Sequence, residues 1–327
     1  MSAIPLFDGH CDTLSRNVST KHPFYAGGNL RRNSGHLDLE RLHAAFAPSA
    51  QFFAVFDSWD VEKSRKAKPL YTSFLAQYAL FARTMEENAD LVCPCRSAAE
   101  AERAYKLGKT AAFLSVEGAE LLDCDEEKLA DAWEKGVRMV NLTWNFENAL
   151  SGSNAEAPEK GLTERGRSFV CKMQKLGMIV DVSHLSDPGF WDVAELSQAA
   201  GLPFIASHSN ARALCAHKRN LTDEQFTAII KSRGVAGLNL CDKFLAEEDP
   251  TLDDAVAHIE HFLSLGGEEN VALGGDWDGC DLCPGVEGIT GMGLLYERLL
   301  RLGYSETLVQ AIFYNNLMRV VREVCTI

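Results

Sequence analysis

A chain of 327 residues, 46% of them hydrophobic, can bury a large core, and its length suits either two ordinary domains or one α/β barrel. Its formal net charge of −14, from 46 acidic against 32 basic residues, argues against a nucleic-acid or anionic-membrane partner. No apolar run approaches the roughly 20 residues that span a bilayer. The first residues leave no room for a basic signal region, and the tail Val324-Cys325-Thr326-Ile327 carries no anchor motif. The expectation is a cytoplasmic protein whose ten cysteines stay reduced.

In chain order, the apolar run Ile4-Pro5-Leu6-Phe7 predicts a buried strand that leads into Asp8-Gly9-His10-Cys11-Asp12. Residues two apart in an extended chain share a face, so His10 and Asp12 project together from the strand's C-terminal end. Further strands are predicted at 51–56, 110–116, 137–142, 178–182, 204–206, 235–240 and 271–274. Helices are predicted between them, at about Tyr71 to Asn88, Glu126 to Lys135 and Thr163 to Leu176, the last stopped by Gly177. Two C-terminal helices close the chain, the last from about Glu306 to Val324. Charged residues Val61–Lys68 read as a solvated excursion, and 144–160 as a polar loop. Eight apolar strands alternating with helices predict a single (β/α)8 TIM-type barrel domain over residues 1–327. An open doubly wound sheet is the alternative, but no glycine-rich phosphate fingerprint follows any strand.

Aligning the strand ends brings out a constellation. The first supplies His10 and Asp12, the third Glu117, the fifth His184, the sixth His208 and the eighth Asp276. In a barrel these ends share one rim, where active sites sit. Imidazoles and carboxylates together suit zinc. His10 with Asp12 would hold one ion and His184 with His208 a second. Glu117, having two oxygens, would bridge them. Paired ions about 3.5–4 Å apart lower the pKa of a shared water toward ~7 and supply a hydroxide nucleophile. Asp276 is left to take the proton. Other pairs are set aside. His36-Leu37-Asp38 reads as a helix start, His258 and His261 as solvated helix residues, and Cys93-x-Cys95 with Cys280-x-x-Cys283 as too distant for a four-cysteine zinc site.

These residues sit in motifs that resemble the renal (membrane) dipeptidase family of metallopeptidases, a branch of the amidohydrolase-like barrels. The motifs are Asp8-Gly9-His10-x-Asp12, Ser115-Val116-Glu117-Gly118, Gly161-Leu162-Thr163-x-x-Gly166, Leu176-Gly177-Met178-x-x-Asp181-x-Ser183-His184, Ser207-His208-Ser209 and Gly274-Gly275-Asp276-x-Asp278-Gly279. They span nearly the whole chain, and without leader or anchor the likeness is to the soluble bacterial branch. The resemblance implies two Zn2+ per chain on His10, Asp12, bridging Glu117, His184 and His208. It also implies Asp276 in catalysis, a homodimer, and dipeptide substrates that can carry a D-residue at the C-terminal side. Cys215-x-x-Lys218-Arg219-Asn220 resembles the family's substrate-binding segment, which gives Arg219 the substrate carboxylate. A guanidinium fork binds a carboxylate bidentately. The chain departs from the family after Leu142-Thr143, where Trp144 replaces a histidine that polarises the scissile carbonyl. Asn145 and Asn148 are the candidates for that role.

The sequence therefore reads as a zinc dipeptidase. Two competitors are a related hydrolase of a cyclic amide or lactone, which would not need Arg219, and a non-catalytic metal-binding scaffold.

Overall fold

Parallel strands β1 (Leu6–Cys11), β2 (Ser49–Val55), β3 (Val92–Pro94), β4 (Thr110–Glu117), β5 (Val137–Asn141), β6 (Ile179–Asp181), β7 (Ala236–Leu238) and β8 (Val271–Leu273) form the frame of the computed structural model. The structure describes residues 3–18, 25, 27–57 and 70–326, so the charged Val61–Lys68 lies outside it. Pairing runs β6-β5-β4-β2-β1-β8-β7. The ring closes through residues 205 and 206, where Asp181 bridges Ile205 and Ala206 bridges Ala236. The segment 204–206 thus takes its place round the barrel, but two bridges hold it where a full ladder was expected. The sequence reading also missed β3. Val92 pairs with Thr110 and Pro94 with Ala112 on the first half of one β4 edge, and β5 takes the second half from Leu114 onward.

Strands buried on both faces read as continuous apolar runs because each face meets a different core. Inside the barrel, Phe7, Phe52, Phe113, Met139, Ile179, Ile205, Val235 and Ala272 form one cluster, one residue from each position round the ring. Alternate residues such as Leu6, Phe53, Leu114, Val140 and Val180 belong to the second cluster, which the surrounding helices share. Phe7, Phe52 and Phe113 stack with centroids 5.1–5.5 Å apart.

The C-terminal helical segment 306–324 runs where expected, with a π turn at Ala311–Asn315. It covers the barrel's N-terminal end. Leu317, Met318 and Val321 join the inner cluster, and Asn316 Nδ2 donates to the Glu268 and Val271 carbonyls, at 2.9 and 2.8 Å, where β8 begins. With that end plugged, the C-terminal rim is the open one.

Helix signals hold at particular residues. Thr163 Oγ1 accepts from the Gly166 N–H at 3.0 Å and caps Glu164–Lys175, and Asp38 caps Leu39–Ala45. His258 corrects the reading as a solvated side chain. It is fully buried, with Nδ1 accepting from Ala211 N at 3.1 Å and Nε2 3.0 Å from the Leu245 carbonyl. All ten cysteines are free. Among the described residues no helix is long and apolar enough to cross a membrane.

Candidate metal centre and cavity

The rim brings the strand-end residues together. His184 Nε2, His208 Nε2 and Glu117 Oε1 lie 2.9–3.5 Å from one another. On the other side of the same carboxylate, Glu117 Oε2 is 3.5 Å from His10 Nε2, which is 3.6 Å from Asp12 Oδ2. Glu117 therefore turns one oxygen toward each pair. The Asp276 carboxylate stands within 4.8 Å of the ligand atoms of His10 and Asp12. Every one of these side chains is buried.

Local backbone aims them. An irregularity in β1 between Asp8 and Cys11 redirects the end of that strand. His184 and Asp276 both sit in the left-handed region, with φ of 69° and 58°. Such conformations in non-glycine residues cluster at functional sites. Outer partners fix the imidazoles. Ser207 Oγ is 2.6 Å from His208 Nδ1, and Asn145 Oδ1 is 3.0 Å from His184 Nδ1. Both histidines thus turn Nε2 inward, and His184 in that tautomer donates its Nδ1 proton to Asn145.

The electrostatics ask for cations. Burial, then the Asp12 charge, push Glu117 up to about 8 despite the nearby His10. Burial alone would lower His10, but Glu117 and Asp12 together hold it well above its ordinary value. Burial drives His184 and His208 well down, which keeps them as neutral ligands. His10 Nδ1 and Nε2, Asp12 Oδ1 and Glu117 Oε2 are buried without a hydrogen-bond partner among the described residues. Buried orphans of this kind are costly, and divalent cations would satisfy them. The donor set of imidazoles and carboxylates fits zinc.

The membrane dipeptidase (peptidase family M19) profile matches residues 1–327. The chain belongs to that family. It is a metal-dependent dipeptidase by membership. The uncharacterized protein in the pqqA 5' region of Klebsiella pneumoniae is 34% identical over 259 residues, which are 76% of this chain and 94% of that one. A metallo peptidase from Rhodobacter sphaeroides, solved with a phosphinate mimic of the dipeptide L-Ala-D-Ala, superposes with a TM-score of 0.83 at 29% identity, covering 99% and 100% of the two chains. The dipeptidase AC metallo peptidase gives 0.82 at 30%, with 99% of each chain covered. The fold is thus the (β/α)8 barrel that the strand pattern predicts, of the amidohydrolase-like kind that the family resemblance implies.

In this dipeptidase Asp12, Glu117, His184 and Asp276 line a cavity of about 710 Å3. Arg219 lines it and is 5% exposed. Among the described residues its guanidinium makes only long contacts, to Ser209 Oγ at 3.4 Å and the His208 carbonyl at 3.3 Å, and its Nε has no partner. The ring of Phe244 lies 5.5 Å below it. Trp144 and Asn145 also face the cavity. Phe56 braces the indole edge-on at 5.0 Å. Asn148 does not line the cavity. Its amide donates to Glu120 and the Leu142 carbonyl, and its oxygen accepts from Leu150 N and Ser151 N, so it builds the loop. The sequence reading missed Asn239, whose Nδ2 donates to Asp276 Oδ2 at 3.0 Å. Its only sequence signal is an asparagine just past the apolar run of β7.

Proposed function

We propose that the chain hydrolyses the single peptide bond of small dipeptides at a binuclear zinc centre held by His10, Asp12, bridging Glu117, His184 and His208. The observation that carries this reading is Glu117, with one oxygen among His184 and His208 and the other beside His10. Two zinc ions would activate a water at neutral pH and polarise the scissile carbonyl. The chain's own residues do the rest. Arg219 receives the substrate's C-terminal carboxylate. Asp276, held by Asn239, collects the proton of the attacking water and delivers it to the leaving amine. Burial raises the Asp276 pKa, which helps it hold that proton in transit. Asn145, with its oxygen committed to His184, keeps an N–H2 donor for the substrate carbonyl. Trp144 and Phe56 supply an apolar wall.

The Rhodobacter sphaeroides relative was solved with a mimic of L-Ala-D-Ala. We extend that stereochemistry to this chain and include a D-residue at the C-terminal position among its substrates. A cytoplasmic homodimer completes the proposal, and light scattering on the purified protein reads the dimer. The central test is a library of L,L and L,D dipeptides assayed with and without chelator, alongside elemental analysis. About two zinc ions per chain and chelator-sensitive release of free amino acids are expected. A folded preparation that binds no metal and gains nothing from added zinc refutes the reading.

A further inference from the structure

Two carboxylates beneath the rim have no part in the chemistry above. Asp8 and Asp181 are both fully buried. Each accepts the backbone N–H two residues on: His10 N donates to Asp8 Oδ1 at 3.0 Å, and Ser183 N to Asp181 Oδ1 at 2.9 Å. Each also accepts an N–H from the turn that follows a neighbouring strand. Gly275 N donates to Asp8 Oδ2 at 2.8 Å, and Ser207 N to Asp181 Oδ1 at 2.9 Å. The same arrangement therefore occurs twice round the barrel. In each case it ties together two turns that carry side chains of the site. Asp8 joins the His10–Asp12 turn to the turn of Asp276. Asp181 joins the His184 turn to the His208 turn.

We infer that Asp8 and Asp181 are positioning residues, one for each half of the metal centre. Asp8 sets the spacing of the His10 and Asp12 half and its distance from Asp276, and Asp181 sets that of the His184 and His208 half. The role rests on the binuclear reading and adds that the two halves are braced separately. Backbone hydrogen bonds accepted by a buried carboxylate are strong and directional, so they fix where a turn begins. The turn beside Asp181 has little other freedom. A side chain added at Gly274 would sit inside 3.0 Å of the Ser207 carbonyl.

The two residues differ in a way that an isosteric amide exposes. Asp8 uses both oxygens, since Gln51 Nε2 also donates to Oδ1 at 3.0 Å. An amide there must turn an N–H2 against one of its donors. Both backbone bonds to Asp181 fall on Oδ1, and among the described residues its Oδ2 has no hydrogen-bond partner. An amide at 181 keeps both bonds.

The experiment titrates zinc out of the unmodified protein and of Asp8→Asn, Asp181→Asn and Asp181→Ala with graded chelator, reading bound ions per chain together with Tm. Loss of an outer partner typically weakens a metal site by about 10–100-fold. The unmodified protein is expected to hold two ions. Asp8→Asn and Asp181→Ala should each weaken one ion by about 10–100-fold and leave the other in place, while Asp181→Asn keeps both at near-normal affinity. A residue that only stabilises the fold would instead weaken both ions together with Tm. That result overturns the inference, as does full affinity for both ions in Asp8→Asn. If Asp181→Ala fails to fold, the contrast between the two asparagine variants still decides. An unmodified protein that binds no ion overturns the binuclear reading and the inference with it.

Discussion

Gly279 provides a clean test of how tightly the carboxylates are held. Its backbone lies outside the left-handed region, so alanine fits the local conformation. The added methyl group, however, would stand inside 3.0 Å of both Asp12 Oδ2 and Asp276 Oδ1, where ordinary contact begins near 3.4 Å. Neither carboxylate can turn freely away. Asp276 is tethered by Asn239, and Asp12 faces His10. Relief therefore requires each carboxylate to retreat by roughly 1 Å, and a misplacement of that size can cost about 10²-fold in rate. Gly279→Ala should lower kcat/KM for a good dipeptide by about a hundredfold, with a change in Tm of only a few degrees. The assay is steady-state hydrolysis followed by amino-acid release, with thermal unfolding in parallel. A variant within threefold of the unmodified rate would show that Asp12 and Asp276 are not the constrained pair described above. A collapse of Tm would place Gly279 in the fold, not in the chemistry.

Further outcomes follow from single residues. Asp276→Asn should keep the fold and both metals and lower kcat by at least about a hundredfold, in the range of lost acid–base catalysis; near-normal turnover with metals bound would move the proton to another group. His258→Leu should destabilise the protein by about 2 kcal/mol, because the buried Ala211 N–H and Leu245 carbonyl each lose their partner. Denaturant unfolding reads that loss, and an unchanged midpoint would mean that water or another group takes over both bonds.

What the sequence makes legible depends on how each residue acts. Residues that act through a side chain at a strand end stand out, because an apolar run stops at a histidine or carboxylate. His10, Glu117, His184, His208 and Asp276 are of this kind, and the rim gathers them from segments far apart in sequence. Residues that act through backbone N–H groups leave no such mark. Asp8 follows the apolar run 4–7 and Asp181 ends β6, but their partners across the barrel are glycine and serine amides, which no side-chain pattern marks. His258 was misread because its helix periodicity does not tell which face meets the loop at Ala211. Its spacing to His261 suggested a shared exposed side, yet His261 reaches Asp223 while His258 is buried. β3 was invisible because three residues ending in proline carry no period. The strand at 204–206 was visible as an apolar run, but its short pairing depends on how neighbouring strands converge, which no local pattern records.

Arg219 decides between a dipeptide and a neutral cyclic substrate. Two other guanidiniums show what commitment looks like. Arg212 forms a bidentate pair with Asp187, both bonds 2.9 Å, and the buried Arg138 donates to the carbonyls of Arg96, Trp133 and Val137. Arg219 is as buried as Arg138, yet it has two long contacts and an orphaned Nε. Burial already lowers its pKa, which is the cost of holding a cation out of water. A carboxylate arriving in the cavity would offset that cost. Arg219→Ala should then lower kcat/KM for free dipeptides by about 2–4 kcal/mol, roughly 30- to 1000-fold. Dipeptide amides should be poor substrates for the unmodified enzyme by a similar factor. The two losses should not add, because both remove the same contact. Measuring acid and amide on both proteins closes the cycle. If Arg219→Ala loses as much on the amide as on the acid, the guanidinium serves the fold or the metal ligands, and the carboxylate clamp is rejected.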